Sequence, residues 1–207
     1  FPAQAGLFAL PTTINNVETL ASVSHILNRG AEWYKGLCLS NPKSTGTKLI
    51  SVCGHVQRPG NYEVTMGTPM KDLIFDMCGG MKPGRTLKAV IPGGSSVPIM
   101  TAAETEDCLL DYEGVVARGS MLGSAGMIVM DDSTDMVYQI WRLARFYAHE
   151  SCAQCTQCRE GTAWTTKILE RILAGKGKAA DLDLLLSLSE NMTGKTICVL
   201  SDSCATP

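Results

Sequence analysis

Three absences narrow the chain first. It has no basic excess: 18 Lys and Arg stand against 20 Asp and Glu, a net charge of −2. A protein that tracks nucleic-acid phosphates needs the opposite balance, so no nucleic acid is expected as a partner. No apolar run approaches the roughly 18–20 residues that a membrane helix requires, so no direct membrane insertion is expected. A complete disulfide framework is excluded by arithmetic, because nine cysteines cannot all pair internally. Internal repeats and low-complexity tracts are also missing, and 45% apolar residues are too many for a disordered tail. The 207 residues suit one large domain or two small ones. No initiator Met or charged-then-apolar leader opens the chain at Phe1, and it stops at Ala205-Thr206-Pro207. It reads as an internal piece of a longer protein. Free thiols in this number fit a reducing compartment.

The texture changes twice along the chain. Residues 1–13 carry Pro2 and Pro11 and read as an extended lead-in. Asn15 or Asn16 is placed to cap a helix over Val17–Asn28, where Val17, Leu20, Ala21, Ile26 and Leu27 recur at helical spacing, and Arg29-Gly30 stops it. A loop runs from about Leu39 to Thr47. Lys48–Gly54 is a strand pattern, Arg58-Pro59-Gly60-Asn61 is turn chemistry, and Tyr62–Val64 is the returning strand. Thr68-Pro69 opens a short helix with Pro69 in its first turn; Leu73, Ile74, Met77 and Cys78 form its apolar face and Gly79-Gly80 ends it. Lys88–Ile91 and Met127–Met130 are two further strands. From Asp131 onward the pattern is helical. Asp132 or Ser133 is the expected cap of a helix to about His149. A second helix buries Trp164, Ile168, Leu169, Ile172 and Leu173, and a third spans about Ala180–Met192 with Gly194 as its C-cap. The fold class that follows is α+β: a small α+β domain, then a helical bundle.

The chemistry lies in the cysteines. Cys152, Cys155 and Cys158 form C-x2-C-x2-C, and Cys198 follows beyond two expected helices. Three thiolates at this spacing wrap one face of a cubic cluster and a remote fourth closes the other corner, which is the ligand logic of a [4Fe–4S] centre. Structural zinc usually takes two separated C-x2-C pairs, so zinc is a lesser reading, as are disulfides or free thiols. Cys204 competes with Cys198 for the fourth place. Cys38, Cys53, Cys78 and Cys108 are isolated and read as small apolar core residues. His149, Glu150, Arg159 and Glu160 flank the triad; Arg159 either stabilises an anionic cluster or caps a helix, and His149 reads as a helix-end histidine.

The string from His149 to Gly161, His-Glu-Ser-Cys-Ala-Gln-Cys-Thr-Gln-Cys-Arg-Glu-Gly, resembles the cluster loop of the NADH-binding, FMN-carrying flavoprotein subunits of respiratory complex I (NADH:quinone oxidoreductase). Pro11–Thr19, Gly46–Leu49, Ser51–Val56, Val90–Ser96 and Thr196-Ile197-Cys198 are similar to further stretches of that family, so the resemblance covers nearly the whole chain. It implies three parts: residues 1–45 as the edge of an FMN and NADH domain, 46–131 as a β-grasp domain of the soluble-ligand-binding type, and 132–207 as a helical bundle with an iron–sulfur cluster. It implies that Cys152, Cys155, Cys158 and Cys198 hold the cluster, and that Asn15, Asn16 and Thr19 touch FMN; simple helix capping is the other reading of Asn15 and Asn16. The turn Pro92–Ser96 is read as structural.

The implied function is electron transfer from NADH-reduced FMN, through the [4Fe–4S] cluster, to a thioredoxin-like [2Fe–2S] subunit and a large iron–sulfur subunit. The implied location is peripheral, on the cytoplasmic or mitochondrial-matrix side of the respiratory membrane. The chain alone is not expected to oxidise NADH. The flavoprotein subunits of NAD-linked hydrogenases and formate dehydrogenases resemble the same stretches. Two departures stand out. Ala153 and Gln157 occupy positions where the family usually has glycine and proline, and Cys204 is unexpected.

Overall fold

The computed structural model describes residues 1–40 and 43–207. Part of the expected 39–47 loop, residues 41–42, lies outside them. The lead-in is less extended than its prolines suggest: Leu7–Ala9 form a 3-10 turn, with Phe8 and Ala9 at positive φ. Asn16 then caps α1, Val17–Arg29, accepting from the N–H groups of Glu18 and Thr19, and Gly30 ends it at φ 89°. A short α2, Ala31–Gly36, follows directly; six residues are too few to show helical periodicity in the sequence. Glu18 ties α1 to the first strand, because its carboxylate accepts from Leu49 N–H at 2.8 Å and pairs with Lys48 Nζ at 2.9 Å.

The central domain is a five-stranded mixed sheet. Strands β1, Thr47–Gly54, and β2, Gly60–Thr65, form the expected hairpin. Two-residue strands β3, Thr68–Pro69, and β6, Leu109–Leu110, pair apart from the main sheet. The other strands are β4, Leu87–Ile91, β5, Met100–Thr101, and β7, Gly126–Asp131. The order is β2-β1-β7-β4-β5, with β1 and β7 parallel at the centre. A hairpin whose first strand pairs in parallel with the last, across a crossing helix, is the β-grasp arrangement.

Pro69 is not a first-turn residue. It sits in β3 opposite Leu109, and the helix begins after it and widens to a π-helix over Asp72–Met77. Proline at the end of a two-residue edge strand is tolerated, because its missing N–H removes little from so short a ladder. The expected apolar face holds: Leu73, Ile74 and Cys78 are fully buried against the sheet with Ile50, Val64, Met70 and Met127. Each such aliphatic side chain contributes roughly 1.5–3 kcal/mol of transfer free energy. Gly54 bends the end of β1 at φ 95°, where a Cβ would strike the Val129 carbonyl, so only glycine serves there. Two short helices, α3, Ala102–Thr105, and α4, Tyr112–Ala117, complete the domain.

The opposite face of the sheet carries the bundle. Strand residues alternate faces, so Val90, Met127 and Val129 join the first core while Ala89, Ile91, Ile128 and Met130 form a second one with Met136 and Leu143. Those last two belong to α5, Met136–Glu150. Its cap is Asp135, which accepts from Tyr138 N–H, rather than Asp132 or Ser133; Asp131 instead accepts from Ser133 and faces His55. The bundle continues with α6, Thr156–Leu173, α7, Ala180–Met192, and a short α8, Leu200–Ala205. On α6, Ile168 and Leu169 are buried as expected, whereas Trp164 is 51% exposed and Leu173 37% exposed. The buried stripe runs instead through Cys158, Gly161, Thr162 and Thr166, small residues that let a neighbouring helix approach.

Candidate metal centre

The loop between α5 and α6 holds the cysteine triad. Helix α5 ends at Glu150, and Ser151 continues in extended backbone. Cys152 is exposed, Cys155 is half-buried at the N-cap of α6, and Cys158 is buried inside the first turn of that helix. The helix therefore begins within the C-x2-C-x2-C run rather than after it, and its partial positive end faces the loop. Ala153 takes φ +64°, the left-handed conformation that glycine adopts without cost. That accounts physically for glycine as the usual family residue here. Gln157 lies exposed in the first turn of α6, where a proline would also fit.

Arg159 clamps the loop. Its guanidinium donates to the Ala153 carbonyl at 2.8 Å and pairs with Glu160 at 2.9 Å, while its backbone N–H bonds the Cys155 carbonyl at 2.9 Å. It thus holds the loop's shape and keeps a positive charge beside it. His149 is exposed in the last turn of α5, the place of a helix-end histidine.

The fourth cysteine reaches the loop from the far end of the bundle. Past α7, Gly194 at φ +69° turns the chain back, and Ile197 N–H donates to Cys155 Sγ at 3.5 Å. Cys198, the next residue, is exposed. Cys204 sits on α8 close to Cys158. Burial pushes its thiol up to about 12, and the nearby Cys158 adds to the shift. Two further contacts bear on the site that the residue pattern does not single out. The Ser151 hydroxyl lies 3.2 Å from Cys158 Sγ, and Ala153 N–H donates to Ser151 Oγ at 3.3 Å. Its place just past a helix end is the one signal the sequence offers for Ser151.

Among the described residues no three His, Cys, Asp or Glu side chains converge tightly enough to grip a single ion. The donor set is four thiols, three in the loop and first turn of α6 and one on a segment hydrogen-bonded to that loop, the number and kind of ligand a four-iron cluster takes. A four-iron cube spreads its corner thiolates further apart than one zinc ion does.

The other cysteines divide. Cys78 and Cys108 are core thiols, with Cys108 pushed up to about 11 by burial. Cys38 is half-buried, and Cys53 is exposed because it falls on the outward side of the alternating β1 strand. Asn16 and Thr19 line a groove of about 520 Å³ with Lys48, Tyr112 and Ser124. Asn16 spends its side-chain oxygen on the α1 cap, and Asn15 is exposed outside the groove. An adjoining open groove of about 830 Å³ is lined by Glu18, His25, Arg29, Trp33 and Glu63, with the Arg29 guanidinium 4.7 Å over the Trp33 ring.

Residues 138–207, which contain the triad, Cys198 and Cys204, match the NADH-ubiquinone oxidoreductase-F iron-sulfur binding region. Residues 48–138 match the SLBB domain. Over its whole length the chain is similar to F-type subunits of NADH-quinone oxidoreductase. It is 49% identical over 208 residues to the first F-type subunit of the enzyme from Rhizobium meliloti (strain 1021), spanning 100% of this chain and 48% of that protein. It is 48% identical to the F-type subunit of Rickettsia bellii (strain OSU 85-389), spanning 100% of this chain and 49% of that protein. The chain thus spans about half the length of the curated relatives it matches. Among solved structures, the NAD+-reducing [NiFe]-hydrogenase in its air-oxidized state superposes with a TM-score of 0.82 at 34% identity, over 100% of this chain and 35% of that one. This chain and the hydrogenase chain thus share the sheet and bundle described above.

Proposed function

We propose that this chain is the electron-transfer part of an NADH:quinone oxidoreductase, with a [4Fe–4S] cluster on Cys152, Cys155, Cys158 and Cys198. The observation that carries the reading is the junction of the iron–sulfur binding region: the triad wraps the start of α6, and the segment bearing Cys198 is hydrogen-bonded to it through Ile197 and Cys155. The chemistry such a cluster supplies is one-electron acceptance and donation. The chain's own residues orient the thiols, supply N–H and hydroxyl donors to sulfur, and keep Arg159 beside the loop.

In this reading, NADH reduces FMN in a domain made mostly by other parts of the protein. Residues 1–45 form that domain's edge, and Asn15, Asn16 and Thr19 lie toward the flavin. Residues 46–131 are the β-grasp domain and 132–207 the cluster-bearing bundle. Electrons leave toward a thioredoxin-like [2Fe–2S] subunit and a large iron–sulfur subunit. No helix among the described residues is long and apolar enough to cross a membrane, which fits a peripheral seat on the cytoplasmic or matrix face of the respiratory membrane. A second reading is favoured by the hydrogenase likeness: the same role in the flavoprotein subunit of an NAD-linked hydrogenase or formate dehydrogenase. The subunits that co-purify with the chain separate the two.

The test is anaerobic reconstitution with iron and sulfide followed by EPR of the reduced protein. A [4Fe–4S] signal lost on Cys155→Ser is the expected result. Stoichiometric zinc with no such signal would sink the reading.

A further inference from the structure

We propose that Ser151 is a positioning residue for the cluster site: its hydroxyl donates to the Cys158 sulfur and sets the reduction potential of a cluster held there. The proposal rests on the reading of Cys158 as a ligand. It is carried by the polarity of a short chain of hydrogen bonds. Ala153 N–H donates to Ser151 Oγ at 3.3 Å, and Ser151 Oγ lies 3.2 Å from Cys158 Sγ. A backbone amide can only donate, so it occupies an acceptor site of the hydroxyl and leaves the hydroxyl proton for the sulfur. A ligating thiolate has no proton to give, which fixes the same direction from the other end. Hydrogen bonds in such a chain polarise one another.

The surroundings make the bond count. Cys158 is only 7% exposed, so little water competes for its sulfur. Ser151 is held by rigid neighbours, since it closes α5 and Cys158 sits in the first turn of α6. Reduction adds negative charge that spreads onto the ligating sulfurs. A donor aimed at one of them stabilises the reduced form more than the oxidised form and raises the potential. Cys155 receives its donor from the Ile197 backbone, which no side-chain substitution deletes. At Cys158 the donor is a side chain and can be removed.

The experiment is an EPR-monitored redox titration of the full chain, reconstituted anaerobically with iron and sulfide. Ser151→Ala is expected to lower the equilibrium constant for one-electron reduction by roughly tenfold, a shift of about 59 mV to lower potential. Ser151→Thr, which keeps the hydroxyl, is expected to titrate with the wild type. Ser151→Val has the shape of the threonine variant without the hydroxyl. It reads the same difference if the alanine variant does not load, and is expected to follow the low-potential behaviour. A hydroxyl-free variant that titrates with the wild type overturns the proposal. A threonine variant that titrates with the valine one overturns it too. An absent cluster signal in the wild type overturns the ligand reading itself, a failure visible before any variant is made.

Discussion

The backbone N–H of Ile197 donates to the sulfur of Cys155 across 42 residues of sequence. This contact closes the C-terminal segment onto the cysteine loop and brings Cys198 to the loop's edge. Cys204 lies on α8, near Cys158. The two candidate fourth ligands therefore make opposite predictions. Cys198→Ser should abolish iron and sulfide uptake, whereas Cys204→Ser should leave both at wild-type stoichiometry. Iron and acid-labile sulfide per chain measure this, and full iron in Cys198→Ser would move the fourth corner to Cys204.

Ala153 holds a left-handed backbone at φ +64°. A residue with a Cβ is disfavoured there by roughly 1–2 kcal/mol, and glycine offsets about 0.5–1 kcal/mol of that gain through its greater unfolded-chain entropy. Ala153→Gly should therefore stabilise the cluster-free chain by about 0.5–1 kcal/mol. Chemical unfolding of the two proteins side by side decides it; an unchanged or lower midpoint would mean that the strain is relieved elsewhere.

Gly161 is where α6 meets the end of α7. A Cβ there would come within 2.6 Å of the Met192 sulfur, and Met192 is 2% exposed with no room to retreat. Gly161→Ala should cost about 1–3 kcal/mol through overpacking. Gly36 is the control: it ends α2, and a Cβ on it meets nothing within 4 Å. Gly36→Ala should be neutral or mildly stabilising. Equal effects at the two positions in thermal unfolding would contradict the packing account.

Asp181 opens α7 as a buried carboxylate. Two guanidinium nitrogens of Arg171 and the Lys178 N–H hold it. These bonds, Arg171 first, lower its pKa below the ordinary value near 3.8. A depressed folded-state pKa stabilises the fold fully above the unfolded value, and the contribution is lost as the pH falls through the folded one. The raised value of Arg171 lies far above neutral pH and adds no slope there. The wild type should lose stability below about pH 4 more steeply than Asp181→Asn, which starts less stable at neutral pH. Melting curves between pH 2 and pH 7 report both; parallel curves would show that the pair is not linked to folding.

Much of the architecture was legible in the residues. Strands β1, β2, β4 and β7 appear as apolar runs between Gly and Pro turns, because a strand flanked by chain reversals must bury its side chains within a few residues. Helices α1, α5, α6 and α7 are long enough to show their period. What escaped is short or depends on distant partners: α2, α8 and the two-residue strands β3, β5 and β6 are too brief for periodicity to register. Pro69 read as a helix start because its lack of an N–H suits one, but pairing with Leu109 placed it in a strand. Trp164 read as buried from its helical position, while the closest approach of α6 to its neighbours ran instead through Gly161 and Thr162.

For the candidate site the division is similar. The C-x2-C-x2-C spacing follows from sequence alone, since three thiols within seven residues stay close along the chain whatever surrounds them. So does the exclusion of complete disulfide pairing. The closure of the 197–198 segment onto Cys155, the placing of Cys204 beside Cys158, and the hydroxyl of Ser151 aimed at sulfur were decided only by the packed bundle. Each depends on where α5, α6 and α7 end relative to one another, and those ends are set by side chains interlocking across helices rather than by any residue's own preference.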